Sequence, residues 1–302
     1  MARHFLEMFD WSGKEIREIL ELSKSMKKNP EKYYDALEHK TLAMLFEKTS
    51  TRTRTSFEAG MTQLGGHAIF LDWKATNLKK GALEEETQCI SRYADLIMAR
   101  VFKHETLETM ASASSVPVIN GLSDRFHPCQ ALADVMAIEE KKGDIKNVSI
   151  GYVGDGANVV NSLIVAVSKL GGKIRVGTPK GFEPDKDAVK LGMDSGALEL
   201  FNDPVSAVKD VDVVVTDTWV SLGQEAEAEK RMKVFPSFQV NAELVKHAKK
   251  DFVFMHCLPA QLGFEVTEDI LRGPHSIAID EAENRMHTEK ALMVKLMENK
   301  LF

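Results

Sequence analysis

Residues 41–60 read TLAMLFEKTSTRTRTSFEAG. Leu42 through Phe46 are apolar at every position, a pattern that suits a parallel strand covered on both faces. The run breaks at Glu47-Lys48, and Ser50, Thr51 and Thr53 stand where a helix begins. The free amides of that helix end, its dipole, the hydroxyls and Arg52 make a seat for a phosphate or carboxylate. Arg52 and Arg54 lie two apart and point different ways on a helix, so one can grip an anion while the other holds the fold. A cluster of this kind also reads as an exposed cap with solvated arginines. Its place at the carboxyl end of a parallel strand favours a ligand, because open α/β sheets bind there.

The same alternation runs outward along the chain. HAIFL (67–71), LIMARVF (96–102) and VPVIN (116–120) are further strand-like runs separated by amphipathic segments. After Lys141-Lys142-Gly143-Asp144 the rhythm restarts with NVSIGYVG (147–154), KIRVGT (173–178), ALELF (197–201), DVVVT (212–216), FVFMH (252–256) and SIAI (276–279). This predicts an α/β protein of two doubly wound parallel-sheet domains with a C-terminal helix, residues 1–142 and 143–285. Ser12 and Glu15 have the spacing of a capping box, which predicts a helix from Gly13 to Met26 ended by Asn29-Pro30. Residues 281–301 read as helical, and periodicity leaves open which domain they join.

Of 302 residues, 44% are hydrophobic and 28% charged, an ordinary globular composition that is neither collagenous nor disordered. At ~150 residues per domain, that length suffices for two cores. The 39 basic and 45 acidic residues give a net charge of −6, so the basic excess of a nucleic-acid binder is missing and any cationic site is local. Cys89, Cys129 and Cys257 are widely spaced with no CxxC pair, which argues against a disulfide framework or a structural zinc and for a reducing cytoplasm. No stretch approaches the ~18 apolar residues of a membrane span, and the N-terminus lacks a secretory core.

Other polar residues fall at predicted strand ends. Arg100 closes LIMARVF, and His127 opens the helix after VPVINGLS. Each alone reads as readily as a structural arginine or a satisfied helix cap; three polar sites at one sheet edge point to a ligand. His127 and Cys129 with His256 and Cys257 lack any familiar zinc spacing, and no metal is expected. VGDGAN carries Gly154 and Gly156 of GxGxxG but Val159 at the last glycine, so a tight turn exposing Asn158 is the simpler reading than dinucleotide binding. Asp217 ends DVVVT, either to meet a ligand amine or to cap the next turn. His256 and Cys257 are adjacent on a strand and face opposite ways, so they make no cysteine–histidine dyad.

Taken together, STRTR (50–54), HPCQ (127–130), DTWVSLG (217–223), HCLP (256–259) and EAENR (281–285) resemble the aspartate/ornithine transcarbamylase family, on the ornithine carbamoyltransferase side. The resemblance implies transfer of a carbamoyl group from carbamoyl phosphate to the side-chain amine of L-ornithine, without cofactor, in a homotrimer. It implies that Ser50, Thr51, Arg52 and Thr53 hold the phosphate and carbamoyl oxygens with Arg100, His127, Pro128, Cys129, Gln130, Cys257, Leu258 and Arg285. Arg52, Thr53, Arg100, His127 and Cys257 carry catalysis in that reading. Leu122, Asn158, Asp217, Ser221 and Leu222 take the ornithine side, and the helix at 286–302 packs back on the first domain. Two positions depart from the family pattern. Leu222 replaces the usual Met, a swap of nearly equal volume, and Asn77-Leu78-Lys79-Lys80-Gly81 stands where Gln-Leu-Gly-Arg-Gly is common. Either Asn77 supplies the corresponding amide, or Lys79 or Lys80 supplies a charge in its place. Another amine acceptor such as putrescine, or a ligand-sensing protein without catalysis, are the rival readings.

Overall fold

The computed structural model describes residues 2–79, 82–220 and 225–298. They form two compact units, residues 1–132 with 285–302 and residues 133–284. In the first unit β1 (Thr41–Phe46), β3 (Leu96–Arg100) and β4 (Val118–Leu122) are buried almost throughout, while β2 (His67–Asp72) mixes exposed and half-buried positions. The strands are parallel in the order β2-β1-β3-β4. From Leu42 onward β1 is apolar at each position because it has a neighbour on both edges and core on both faces, whereas β2 is an edge. Helices α1 (Gly13–Lys28), α2 (Thr51–Gln63), α3 (Leu83–Tyr93) and α4 (His104–Ala113) belong to this unit. The capping box of α1 is formed in both directions, between Ser12 and Glu15, and the helix continues to Lys28 with Asn29 as its C-cap.

The second unit has β5 (Ser149–Val153), β6 (Lys173–Gly177), β7 (Leu198–Phe201), β8 (Val213–Thr216) and β9 (Val253–His256), parallel in the order β7-β6-β5-β8-β9. Helix α5 (Pro128–Lys142) leads in, and α6 (Asn158–Leu170), α7 (Lys186–Asp194), α8 (Pro204–Val208), α9 (Ala228–Val234), α10 (Ala242–Val245) and α11 (Glu268–Leu271) follow. Helix α12 (Ala278–Glu298) ends the described chain. The units divide inside α5 and α12, earlier than the charged stretch at 141–144, because a continuous helix carries no sequence mark where its packing partners change. SIAI, expected as a strand, makes only a single bridge, Ser276 to Phe254. The helix begins at Ala278, and Ile279 is 75% exposed, so this apolar run has helical rather than strand sidedness.

Strand order places the sites. From β1 the chain moves outward to β2, then returns to the other side of β1 for β3; in the second sheet it moves from β5 to β6 and β7, then returns to β8. The reversals lie between β1 and β3 and between β5 and β8, and crevices open at the carboxyl ends of such strand pairs. Residues following Phe46 and at Arg100 line one crevice, and those following Val153 and Thr216 line the other.

The glycines after β5 answer to packing. Gly154 has φ of 142°, a conformation that side chains disfavour. A Cβ on Gly156 would stand 2.3 Å from the Phe182 carbonyl oxygen and 2.5 Å from Pro184 N. The turn is pressed against protein backbone, which accounts for two of the three fingerprint glycines without a dinucleotide. Gly156→Ala should therefore cost about 1–3 kcal/mol of stability, read as a lower urea midpoint at constant slope. An unchanged midpoint would remove this packing account.

Candidate functional site

In the first unit the site is built around one oxygen. Ser50 caps α2, accepting from Thr53 N–H at 3.3 Å and donating to Thr53 Oγ1 at 3.1 Å. Arg100, paired with Phe46 at the end of β3, donates from Nη1 to the same Oγ1 at 3.3 Å. Arg285 of α12 reaches it from Nη2 at 3.5 Å and donates from Nη1 to Gln130 Oε1 at 2.9 Å. A threonine oxygen has two lone pairs, so three donors are more than it can accept well. An arriving oxyanion would relieve that competition.

His127 precedes α5 and is buried. Burial, then the charges of Arg285, Arg100, Lys48 and Arg52, hold its imidazole well below the ordinary histidine range, so the ring is neutral at physiological pH. Arg54 takes the structural role, paired with Glu58 at 3.1 Å and lying 3.9 Å from the Phe70 ring centre; Arg52 is the one whose charge reaches His127. Lys48, buried and two residues past β1, joins this cationic group, and nothing in its spacing singles it out. Thr51 opens α2, Leu122 ends β4 and Pro128 opens α5. Cys129 turns into the core instead, its Sγ on Asn120 O at 3.4 Å, and burial pushes its thiol far up. Asn77 is exposed in the short turn Asn77–Lys79; Lys80 and Gly81 lie outside the described residues.

The second unit presents a carboxylate at its own switch point. Asp217, 5% exposed, accepts from Thr218 N–H at 2.8 Å and from Cys257 Sγ at 3.1 Å through Oδ1. That bond to the adjacent amide holds the carboxylate at the carboxyl end of the sheet. Burial foremost, then the charges of Asp217 and Glu281, drives the Cys257 thiol well above its usual value, so Cys257 is a neutral donor and not a thiolate. Leu258 N–H donates to His256 Nδ1 at 2.8 Å, which puts the ring proton on Nε2, donated to Glu265 Oε1 at 3.1 Å. Both ring nitrogens are thus occupied. Cys257 stands past the end of β9, and its Sγ lies within 4.8 Å of a His256 ring nitrogen rather than on an opposite strand face. It is these bonds and not strand alternation that deny the thiol a base. The same bond braces Leu258, whose φ of 58° is in the left-handed region, a conformation costing roughly 1–2 kcal/mol. Ligand atoms of Asp217, His256 and Cys257 lie within 4.8 Å of one another, but these hydrogen bonds already engage all three.

Asn158 begins α6 and is 5% exposed. It was expected to be exposed; the close packing of the 154–158 turn encloses it. Ser221 and Leu222 lie outside the described residues. Arg231, unremarked in sequence, joins the turns on either side: Nη1 meets Asp155 Oδ2 at 2.5 Å and Trp219 O at 2.9 Å. Burial lifts the Asp155 carboxyl to about 6, with Arg231 opposing. Only the surrounding fold reveals these partners.

The two switch points define a class: a two-unit, doubly wound α/β protein with a cationic crevice on one sheet and an acidic one on the other. Residues 3–140 match the family described as aspartate/ornithine carbamoyltransferase, carbamoyl-P binding domain, and residues 146–296 match its Asp/Orn binding domain. The ornithine carbamoyltransferase of Pyrococcus horikoshii is 52% identical over 98% of this chain and 96% of its own. An anabolic ornithine carbamoyltransferase from Pyrococcus furiosus shows the same identity and coverage. The solved ornithine carbamoyltransferase structure from Pyrococcus furiosus aligns with a TM-score of 0.92 over 97% of this chain and 96% of that one. The chain belongs to the aspartate/ornithine carbamoyltransferase family and is an enzyme of carbamoyl transfer.

The cysteines give a direct check on this geometry. Cys89 is exposed, Cys129 buried and Cys257 partly so. At pH 8 the native protein should show one fast-reacting thiol, lost in Cys89→Ser, and three after denaturation. Reaction of Cys257 as fast as Cys89 would contradict the neutral, hydrogen-bonded thiol described above.

Proposed function

We propose that this chain has ornithine carbamoyltransferase activity, moving the carbamoyl group of carbamoyl phosphate to the side-chain amine of L-ornithine to give L-citrulline and phosphate. The observation that carries this reading is the convergence of Ser50, Arg100 and Arg285 on Thr53 Oγ1, beside neutral His127. The first unit, with the C-terminal helix and Arg285, is the carbamoyl phosphate side, and the second unit the ornithine side. Asp217 takes the α-ammonium end of ornithine, with Leu122, Asn158, Ser221 and Leu222 around the acceptor. The family resemblance assigns Cys257 and Leu258 to the carbamoyl group. The active form is a homotrimer in the cytoplasm, with Asn77 serving a neighbouring site.

The amine lone pair attacks the carbonyl carbon, forming the C–N bond; the resulting tetrahedral intermediate breaks its C–O bond to phosphate, and the amine loses a proton. Negative charge grows on the carbonyl oxygen and on the leaving phosphate. Donors fixed beforehand, Thr53, Arg100 and His127 with Arg52 at the phosphate, stabilise that charge without reorganising. Positioning both substrates supplies more. An amine with the unperturbed lysine pKa of ~10.4 has roughly one neutral molecule in a few thousand at pH 7, so the cationic crevice favours the neutral nucleophile.

His127 is held low and stays neutral through this range, so it adds no limb to the pH profile between pH 6 and 9. Citrulline formation should climb steadily with pH there, while putrescine and aspartate give little product. A flat profile with chemistry limiting would remove the amine account, and putrescine outpacing ornithine would reassign the acceptor. Arg52→Ala should weaken carbamoyl phosphate binding and turnover together. Asp217→Ala should chiefly raise the ornithine KM, by about 10- to 100-fold for a lost charged hydrogen bond. Calorimetry showing unchanged carbamoyl phosphate affinity in Arg52→Ala would overturn the phosphate assignment.

A further inference from the structure

An anion site gains from every positive charge near it, yet the cationic crevice of the first unit contains a buried carboxylate. Glu289 is 0% exposed and sits one helical turn beyond Arg285 on α12, on the same face. Its Oε1 accepts from Arg285 Nε at 2.9 Å and from Nη2 at 2.6 Å. Those two bonds fix the plane of the guanidinium, and the fixed plane aims Nη1 at Gln130 Oε1, 2.9 Å away, and brings Nη2 to 3.5 Å from Thr53 Oγ1. Burial raises the Glu289 carboxyl, and the charge of Arg285 opposes that rise. The charge of Glu289 also reaches Cys129, at the start of α5.

A carboxylate here repels any phosphoanion that Arg285 attracts. Uniformly tight binding of substrate does not speed the chemical step, and phosphate released as product would keep many of the contacts made by the phosphate of carbamoyl phosphate. On the carbamoyl-transfer reading, we propose that Glu289 is a positioning residue and the resident counter-ion of Arg285. It orients the guanidinium towards Thr53 and Gln130, and its repulsion limits how tightly the crevice holds carbamoyl phosphate and the inorganic phosphate that leaves.

Two variants of the full chain separate orientation from charge. Glu289→Gln keeps an amide oxygen for both Arg285 bonds and removes the charge. Its affinity for inorganic phosphate, measured by calorimetry, should rise about tenfold, and the product-inhibition constant of phosphate and the KM for carbamoyl phosphate should fall with it. Glu289→Ala removes the bracket as well, so it should bind phosphate more weakly than Glu289→Gln and turn over more slowly than wild type. A purely structural residue would weaken binding in both variants. Phosphate affinity in Glu289→Gln equal to or below wild type, with thermal unfolding showing a folded protein, overturns the proposal; if Glu289→Ala fails to fold, Glu289→Gln alone decides. Wild-type protein that makes no citrulline would sink the functional reading instead, while phosphate calorimetry would still judge the role of Glu289.

Discussion

Thr53 Oγ1 is the point on which the polar and cationic side chains of the first unit converge. Burying guanidinium groups is expensive unless each is paired and hydrogen-bonded, and Arg100 and Arg285 are both largely buried. They share this oxygen as acceptor, and Arg285 is further anchored by Gln130 and Glu289. The hub draws on four separate stretches: the cap of α2, the end of β3, the first turn of α5 and the middle of α12. None of them makes an anion site alone. The parallel order β2-β1-β3-β4 delivers the first two to neighbouring strand ends, so the site follows from strand pairing before any side chain is considered.

The second unit applies the same geometry with opposite charge. Its reversal between β5 and β8 brings the 154–158 turn near Asp217, and β9, next to β8, adds Cys257. The positive φ of Leu258 is sustained by fully buried neighbours: His256 accepts from its N–H, and Glu265 fixes the imidazole. The HCLP stretch is thus two functions side by side. His256 holds backbone shape through Leu258 and Glu265, while Cys257, just past β9, donates to Asp217.

Much of this was legible in sequence because it depends on local rules. All-apolar strands, the Ser12 box and the hydroxyl cluster at α2 each declare themselves within a few residues. Local rules mislead where a short apolar run fits two periodicities: SIAI suits a strand or the start of a helix, and the step from buried Ile277 and Ala278 to exposed Ile279 follows from the start of α12. Asn158 failed for a related reason, since the turn's glycines signal close backbone approach without saying from which side it comes. Lys48, Arg231 and Glu289 were illegible because their partners are distant in the chain or, for Glu289, because an i, i+4 acidic–basic pair usually marks a solvated face. Arg54 and Glu58 form such an exposed pair; Arg285 and Glu289 have the same spacing and are buried.

On the proposed reading, two of the polar groups assigned to the reaction are held neutral, one in each unit. His127 is kept neutral by burial and by surrounding cations, and Cys257 is kept neutral by burial and by carboxylates. Opposite fields in the two units therefore give the same result, polar groups that donate or accept without changing charge across the working pH range. The proton that must be lost belongs to the attacking amine, and the charge that must be stabilised belongs to the departing phosphate. A protein meeting these needs has little use for a general base with an ordinary pKa. It needs fixed donors whose protonation does not vary, and burial at the carboxyl ends of parallel strands is the physical means by which this chain holds them so.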